Sequence, residues 1–172
     1  MEIPVAILTL VMSLVTLPSG SGYEQLASIA WAIEGEVSYT APLYYGESSI
    51  DAARIVGCTV VNRVVSPYFP STPYEVVTQP EQYNPTRWVE SVSYASVWIA
   101  LEVYSDPGYH CAHGAVFVFS RTDLRNLNWL LRRHAAVAVV ERDSWGIYGF
   151  DRYPGDISLA EIIAFLDIGL VP

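Results

Sequence analysis

The chain has 172 residues, enough for one domain with a buried core and scarcely enough for two. More than half of the residues are apolar and 16% are charged, a balance that excludes a disordered tail. The formal charge is −9, and every one of the nine basic residues is Arg. An acidic chain of this kind repels phosphate, which excludes a general binder of nucleic acid or of anionic lipid.

At the start of the chain, Val5 to Leu17 reads VAILTLVMSLVTL, apolar but too short to span a bilayer comfortably. Pro18 and the small residues Ser19 to Gly22 follow. Residues 1–22 are therefore expected to be a signal peptide or hydrophobic leader, and 23–172 the working domain. Glu2 stands where a positive charge is usual, and no A-x-A site occurs. An uncleaved anchor and a buried first helix stay open as alternatives. Export is expected, with any membrane contact made through the leader.

Leu26, Ile29, Ala30, Ile33 and Val37 recur at helical spacing and predict a first helix over 24–37. A Tyr-rich loop broken by Pro42 follows. A second helix is expected over 49–64, capped by Ser48 or Ser49 and apolar nearly all round. Thr72, Pro73 and Glu75 form a capping box with Pro at the first helical position, which predicts a short third helix. Residues 79–85 read as a rigid loop. A fourth helix is expected over 89–104 with Val92, Ala95, Ile99 and Val103 facing the core.

The pattern then changes. Ala115 to Phe119 is β-branched and aromatic and predicts a strand. Residues 124–133 read as helix, and 136–140 and 146–153 as strands paired around 142–144. Ser158 and Glu161 cap a last helix over 159–168. Helices first and a small antiparallel sheet in the C-terminal half make an α+β domain.

Cys58 lies in an apolar stretch and Cys111 in a polar loop. The reading preferred is a small buried hydrophobe and an unrelated loop thiol, with one disulfide as the alternative, since spacing alone does not place two Cα atoms within bridging distance. His110, Cys111 and His113 lack the spacing of a metal site, so no metal is expected. Asn62 and Arg63 are read as ties from the second helix to a neighbouring carbonyl or carboxylate. Tyr44, Tyr45, Tyr83 and Trp88 lie in loops, where they serve either packing or stacking on sugar faces. Trp98 lies off the core stripe of its helix and receives no functional role.

Glu34 and Glu36 flank the apolar stripe of the first helix on opposite sides, in what is expected to be its last turn. That end of a helix disfavours negative charge, as does partial burial. A carboxyl that keeps its proton near neutral pH can protonate a glycosidic oxygen. Two solvated glutamates ending a helix are the plainer alternative.

Ordered motifs add a resemblance. Ile33 to Val37, IEGEV, is followed by Gly46-Glu47 and by Ile50 to Val64, IDAARIVGCTVVNRV. Then come Ser66 to Pro70, SPYFP, and Val76-Val77 with Gln79 to Tyr83, QPEQY. From about Ile29 to Tyr153 the chain resembles the cell wall hydrolases related to the spore-cortex-lytic enzymes of germination. The resemblance implies a mostly helical, lysozyme-like domain that cleaves the N-acetylmuramic acid–N-acetylglucosamine bond of peptidoglycan, as a lytic transglycosylase or muramidase, without a cofactor and as a monomer. It carries the catalytic acid to Glu36 and a second carboxylate to Glu47. It assigns Gln79, Gln82 and Tyr83 to a loop beside the glycan groove, and Tyr148 to the position where the closing strand usually has His. Residues 38–45 are inserted between the two Gly-Glu units, which leaves the placement of Glu36 relative to Glu47 open. The competing expectation is a catalytically inactive peptidoglycan-binding or virion/wall structural module on the same fold.

Overall fold

The computed structural model describes residues 2–4, 22–40, 47–80, 83, 91–121, 124, 129–142, 144–156 and 158. Helix α1 runs over Gly22–Thr40 and α2 over Glu47–Val65. The expected stripe of α1 is the centre of the core: Leu26, Ile29, Ala30, Ile33 and Val37 are all fully buried. Helix α2 is buried nearly all round, through Ala52, Ala53, Ile55, Val56, Cys58, Val60 and Val61. It begins two residues earlier than expected, so Ser48 and Ser49 lie in its first turn rather than at its cap.

Thr72 caps the short α3, Pro73–Val77, as its sequence signature predicts. Its hydroxyl oxygen accepts from the Glu75 backbone N–H at 3.3 Å, and its O–H donates to the Glu75 carboxylate at 2.8 Å. Thr72→Ala is expected to lower stability by about 1 kcal/mol and Thr72→Ser to retain most of it, as read from urea midpoints. Equal midpoints for Thr72→Ala and the wild type would show that this cap contributes nothing.

The segment expected to form the whole of the fourth helix divides in two. Strand β1, Glu2–Pro4, pairs antiparallel with β2, Ser91–Ser93, aligning Ile3 with Val92. Helix α4 then runs over Tyr94–Ser105. The cause is Ser93, whose extended backbone and side chain, accepting from Ser96 N–H at 3.2 Å, make it an N-cap. Ile99 and Val103 face the core as expected, joined by Ser96, Val97 and Ala100. Glu34 completes this helix start: its Oε2 accepts from Ser93 N–H at 2.8 Å and from Ser96 Oγ at 2.7 Å. A carboxylate at a helix N-terminus is favoured by the orphan N–H groups and by the helix dipole.

Helices α1, α2 and α4 converge at Gly57, where an added Cβ would sit 3.1 Å from both Ile33 Cδ1 and Val103 Cγ2. Asp106 ends α4 and caps a single turn, α5, over Pro107–His110. The sheet follows. Strand β3 is Phe117–Ser120, α6 is Trp129–His134, β4 is Ala138–Glu141 and β5 is Gly146–Phe150. Strand order is β3-β5-β4, all antiparallel, with the β4–β5 hairpin closed by Arg142 N–H to Trp145 O at 2.8 Å. Central strand β5 is buried along its length and rests on α2. An added Cβ at Gly149 would lie 2.9 Å from Ala115 Cβ and 3.0 Å from Ile55 Cγ2, so only glycine allows this approach. The result is the expected α+β architecture. The last helix expected over 159–168 lies outside the described residues, as do residues 5–21 of the leader expected over 1–22. Among the described residues no helix is long and apolar enough to cross a membrane.

The two cysteines correct the preferred reading. Cys58 on α2 and Cys111 beyond α5 form a disulfide, with Cα atoms 5.1 Å apart. Helix α2 presents Cys58 to the turn after Pro107, so a contact between residues 53 positions apart places two buried thiols side by side.

Candidate functional site

Glu36 lies on α1 just ahead of its final turn, because the helix continues to Thr40. The helix-end field decays within the last turn, so burial and neighbours, rather than the dipole, set its surroundings. It is half-buried between the fully buried Ile33 and Val37. Its counterpart Glu34, on the other side of the stripe, is engaged at the start of α4. The two carboxyls that look alike in the sequence therefore have different occupations.

Tyr83 is 4% exposed. Its phenol shares a 2.8 Å hydrogen bond with Thr59 Oγ1 on α2. Thr59 Oγ1 also lies 2.8 Å from Val56 O, a second acceptor for its hydroxyl. Burial pushes the Tyr83 phenol pKa up, the Arg63 guanidinium and the Thr59 bond pull it down, and the negative charge of Glu36 raises it again. Glu36 is thus within electrostatic reach of a neutral, rigidly held phenol.

Arg63 closes the inner side. It is buried, with its guanidinium 4.9 Å from the Phe69 ring centroid, 5.1 Å from that of Phe117 and 5.2 Å from that of Tyr83. Its Nε donates to Val116 O at 2.5 Å, while Asn62 Nδ2 donates to Ala115 O at 2.9 Å and Cys111 O at 3.3 Å. The Asn-Arg pair therefore ties α2 to carbonyls of the loop that leads into β3, as its sequence reading expects. Burial lowers the pKa of Arg63 and the Tyr83 phenol opposes this. Three rings around a desolvated cation supply the attraction that water no longer gives. Thr59 and the aromatic cage were not singled out by sequence reasoning; a Thr inside an apolar helix, four residues before a buried Arg, was the available signal.

Gln79 follows α3 and is partly buried. Its side-chain Oε1 is shielded from water, with no hydrogen-bond partner among the described residues. A shielded, unsatisfied acceptor suits a ligand N–H. Gln82 lies outside the described residues. Glu47 is the first residue of α2 by its backbone, at an end that favours negative charge.

Tyr148 is set apart from this group. It is fully buried in β5, packs with Leu124 and Phe150, and its phenol donates to Glu141 at 2.5 Å. Burial and that carboxylate push its pKa up to about 12. A raised folded-state value means that its stabilising contribution is complete below the unfolded value near 10 and is lost as pH rises through about 12. Tyr148→Phe is expected to flatten the decline in unfolding free energy between those limits, as followed by urea denaturation at stepped pH. An unchanged alkaline slope would assign the decline to other groups.

Near Cys111, His113 has a local duty: its Nδ1 accepts from Ala115 N–H at 3.1 Å, and burial lowers its pKa. Among the described residues no three His, Cys, Asp or Glu side chains converge on a metal position.

A family model described as Cell Wall Hydrolase matches residues 46–143. The match begins at Gly46-Glu47 and spans α2, the Asn-Arg pair, Tyr83 and the first strands of the sheet; Glu36 lies ten residues ahead of it. No curated protein and no solved structure matches the chain.

Proposed function

The chain belongs to the cell wall hydrolase family, an enzyme class acting on peptidoglycan, and from this premise we propose that it cleaves the glycan strand with Glu36 as general acid. The observation that carries the reading is the position of Glu36: a half-buried carboxyl within electrostatic reach of the buried, neutral Tyr83 phenol, ten residues ahead of the family's matched segment. Partial burial favours the protonated form that such chemistry needs.

The bond at issue joins C1 of N-acetylmuramic acid to O4 of N-acetylglucosamine. Glu36 gives its proton to that oxygen as the C1–O bond breaks and the muramic ring gains oxocarbenium character. The C6 hydroxyl then attacks C1, and its proton returns to the Glu36 carboxylate. An anhydro ring forms, the acid is regenerated and no water is consumed. Glu47, at a helix start suited to an anion, supports a variant in which a carboxylate holds a water and hydrolysis results. Gln79 Oε1 is suited to accept from an acetamido N–H. The disulfide supports export, since such bonds persist in oxidising compartments.

Digestion of purified sacculi, followed by mass analysis of the soluble fraction, tests this. Anhydromuropeptides are expected, and reducing muropeptides would move the assignment to hydrolysis. Binding to sacculi with no soluble glycan product would replace the enzyme with an inactive wall-binding module.

A further inference from the structure

A second feature lies on another face of α2. Tyr94 and Trp98, one turn apart on α4, are 59% and 52% exposed and stack with ring centroids 6.5 Å apart and an interplanar angle of 24°. They border a cavity of about 420 Å³ completed by Ile50 and Arg54 from α2 and by Ile99 and Glu102 from α4. Arg54 and Arg63 are nine residues apart on α2, half a turn out of phase at about 100° per residue. The cavity therefore opens on the side of α2 opposite Arg63, whose guanidinium packs on Tyr83.

Its polar groups are fixed in place. Trp98 Nε1 donates to Glu102 Oε1 at 2.8 Å. Glu102 Oε2 accepts from Arg54 Nε at 3.1 Å and from a terminal nitrogen of the same guanidinium at 3.0 Å. The other terminal nitrogen reaches Asp51 Oδ1 at 3.0 Å. Core packing accounts for neither exposed ring, and the chemistry proposed for Glu36 uses none of these groups.

We propose that this cavity is a non-catalytic contact for the glycan strand, taking an uncharged N-acetylhexosamine unit. The inference rests on the reading of the chain as a glycan-cleaving enzyme. A pyranose ring has an apolar C–H face that gains by covering exposed aromatic surface, and equatorial hydroxyls that pair with carboxylates and guanidinium groups at its edge. Two acids against one Arg leave the rim net negative, which disfavours the carboxylates of stem peptides and anionic wall polymers. The volume falls within the range of roughly 300–1,000 Å³ typical of small-ligand sites. Because the substrate is a polymer, a second contact on the same chain raises the effective concentration of glycan at the acid.

The test is calorimetric titration of the whole chain with chitotetraose, the β-1,4 N-acetylglucosamine tetramer, with Trp98→Ala and Trp98→Phe alongside the wild type. Loss of one stacking surface is expected to remove the weaker-site isotherm or to lower its affinity roughly tenfold, with Trp98→Phe restoring part of it. Both rings are exposed, so the fold is retained, and circular dichroism checks this. Identical isotherms for wild type and Trp98→Ala, or no chitotetraose binding by the wild type, overturn the proposal. Digestion of sacculi by Glu36→Gln separates it from the catalytic reading: unimpaired digestion sinks the role of Glu36 and leaves the titration result standing.

Discussion

Glu36→Gln is expected to abolish release of soluble glycan from sacculi, with a loss of roughly 100-fold or more, while the chain stays folded. Gln keeps the size of the side chain and removes its transferable proton and its capacity for negative charge. The half-buried position between Ile33 and Val37 tolerates a neutral amide at least as well as a carboxyl. Glu34→Gln is the matched control. Glu34 accepts from Ser93 N–H and Ser96 Oγ at the start of α4, so its variant should lose some stability and keep its turnover. The pair separates a proton donor from a structural acceptor two residues away. Retention of more than about a tenth of wild-type turnover by Glu36→Gln is incompatible with a general acid. Glu47→Gln then divides the chemistry: a route that closes an anhydro ring should tolerate it, whereas a route that positions water should lose rate and release fewer reducing ends.

The contrast between those two glutamates shows where sequence reading stops. The stripe of α1 was legible because five apolar residues repeat at 3.6-residue spacing, and all five are fully buried. That periodicity puts Glu34 and Glu36 on either side of the stripe, yet it says nothing of what lies across from each. Ser93 and Ser96 claim Glu34, while Glu36 acts electrostatically on Tyr83, and both pairings join segments far apart in sequence. Local chemistry was readable at Thr72, which caps α3, and at the hairpin of β4 and β5. It failed at Ser93, where a cap inside a run of helix-compatible residues starts α4 late and leaves Ser91–Ser93 to pair with Glu2–Pro4. Tyr83 illustrates a different limit. A loop tyrosine reads equally as an exposed stacking ring and as a buried anchor, and Thr59, 24 positions away, decides for the second.

Cys58 and Cys111 depend on such a long-range approach, and their removal carries the largest expected effect on stability. The bond closes a loop of 53 positions, for which loop-closure entropy alone gives about 4 kcal/mol, and native disulfides of small exported domains span about 2–5 kcal/mol. Replacing both residues by Ala, which leaves no buried hydroxyl unsatisfied, is expected to lower the melting temperature by roughly 10 °C. Wild-type protein melted in a strong reductant should follow the variant. The consequence reaches the candidate site because the Cys111 carbonyl and the neighbouring Ala115 and Val116 carbonyls are the acceptors for Asn62 and Arg63. Freed from Cys58, this loop keeps those side-chain bonds and the β3–β5 ladder but loses its covalent tie to α2, and Arg63 in turn supports the ring of Tyr83. Catalytic loss should therefore begin below the temperature at which the helices melt, detected as activity falling ahead of far-ultraviolet ellipticity. If both fall together and the double-Ala variant loses less than about 1 kcal/mol, the side-chain bonds already restrict the unfolded loop or hold the native one, and the disulfide adds little to either.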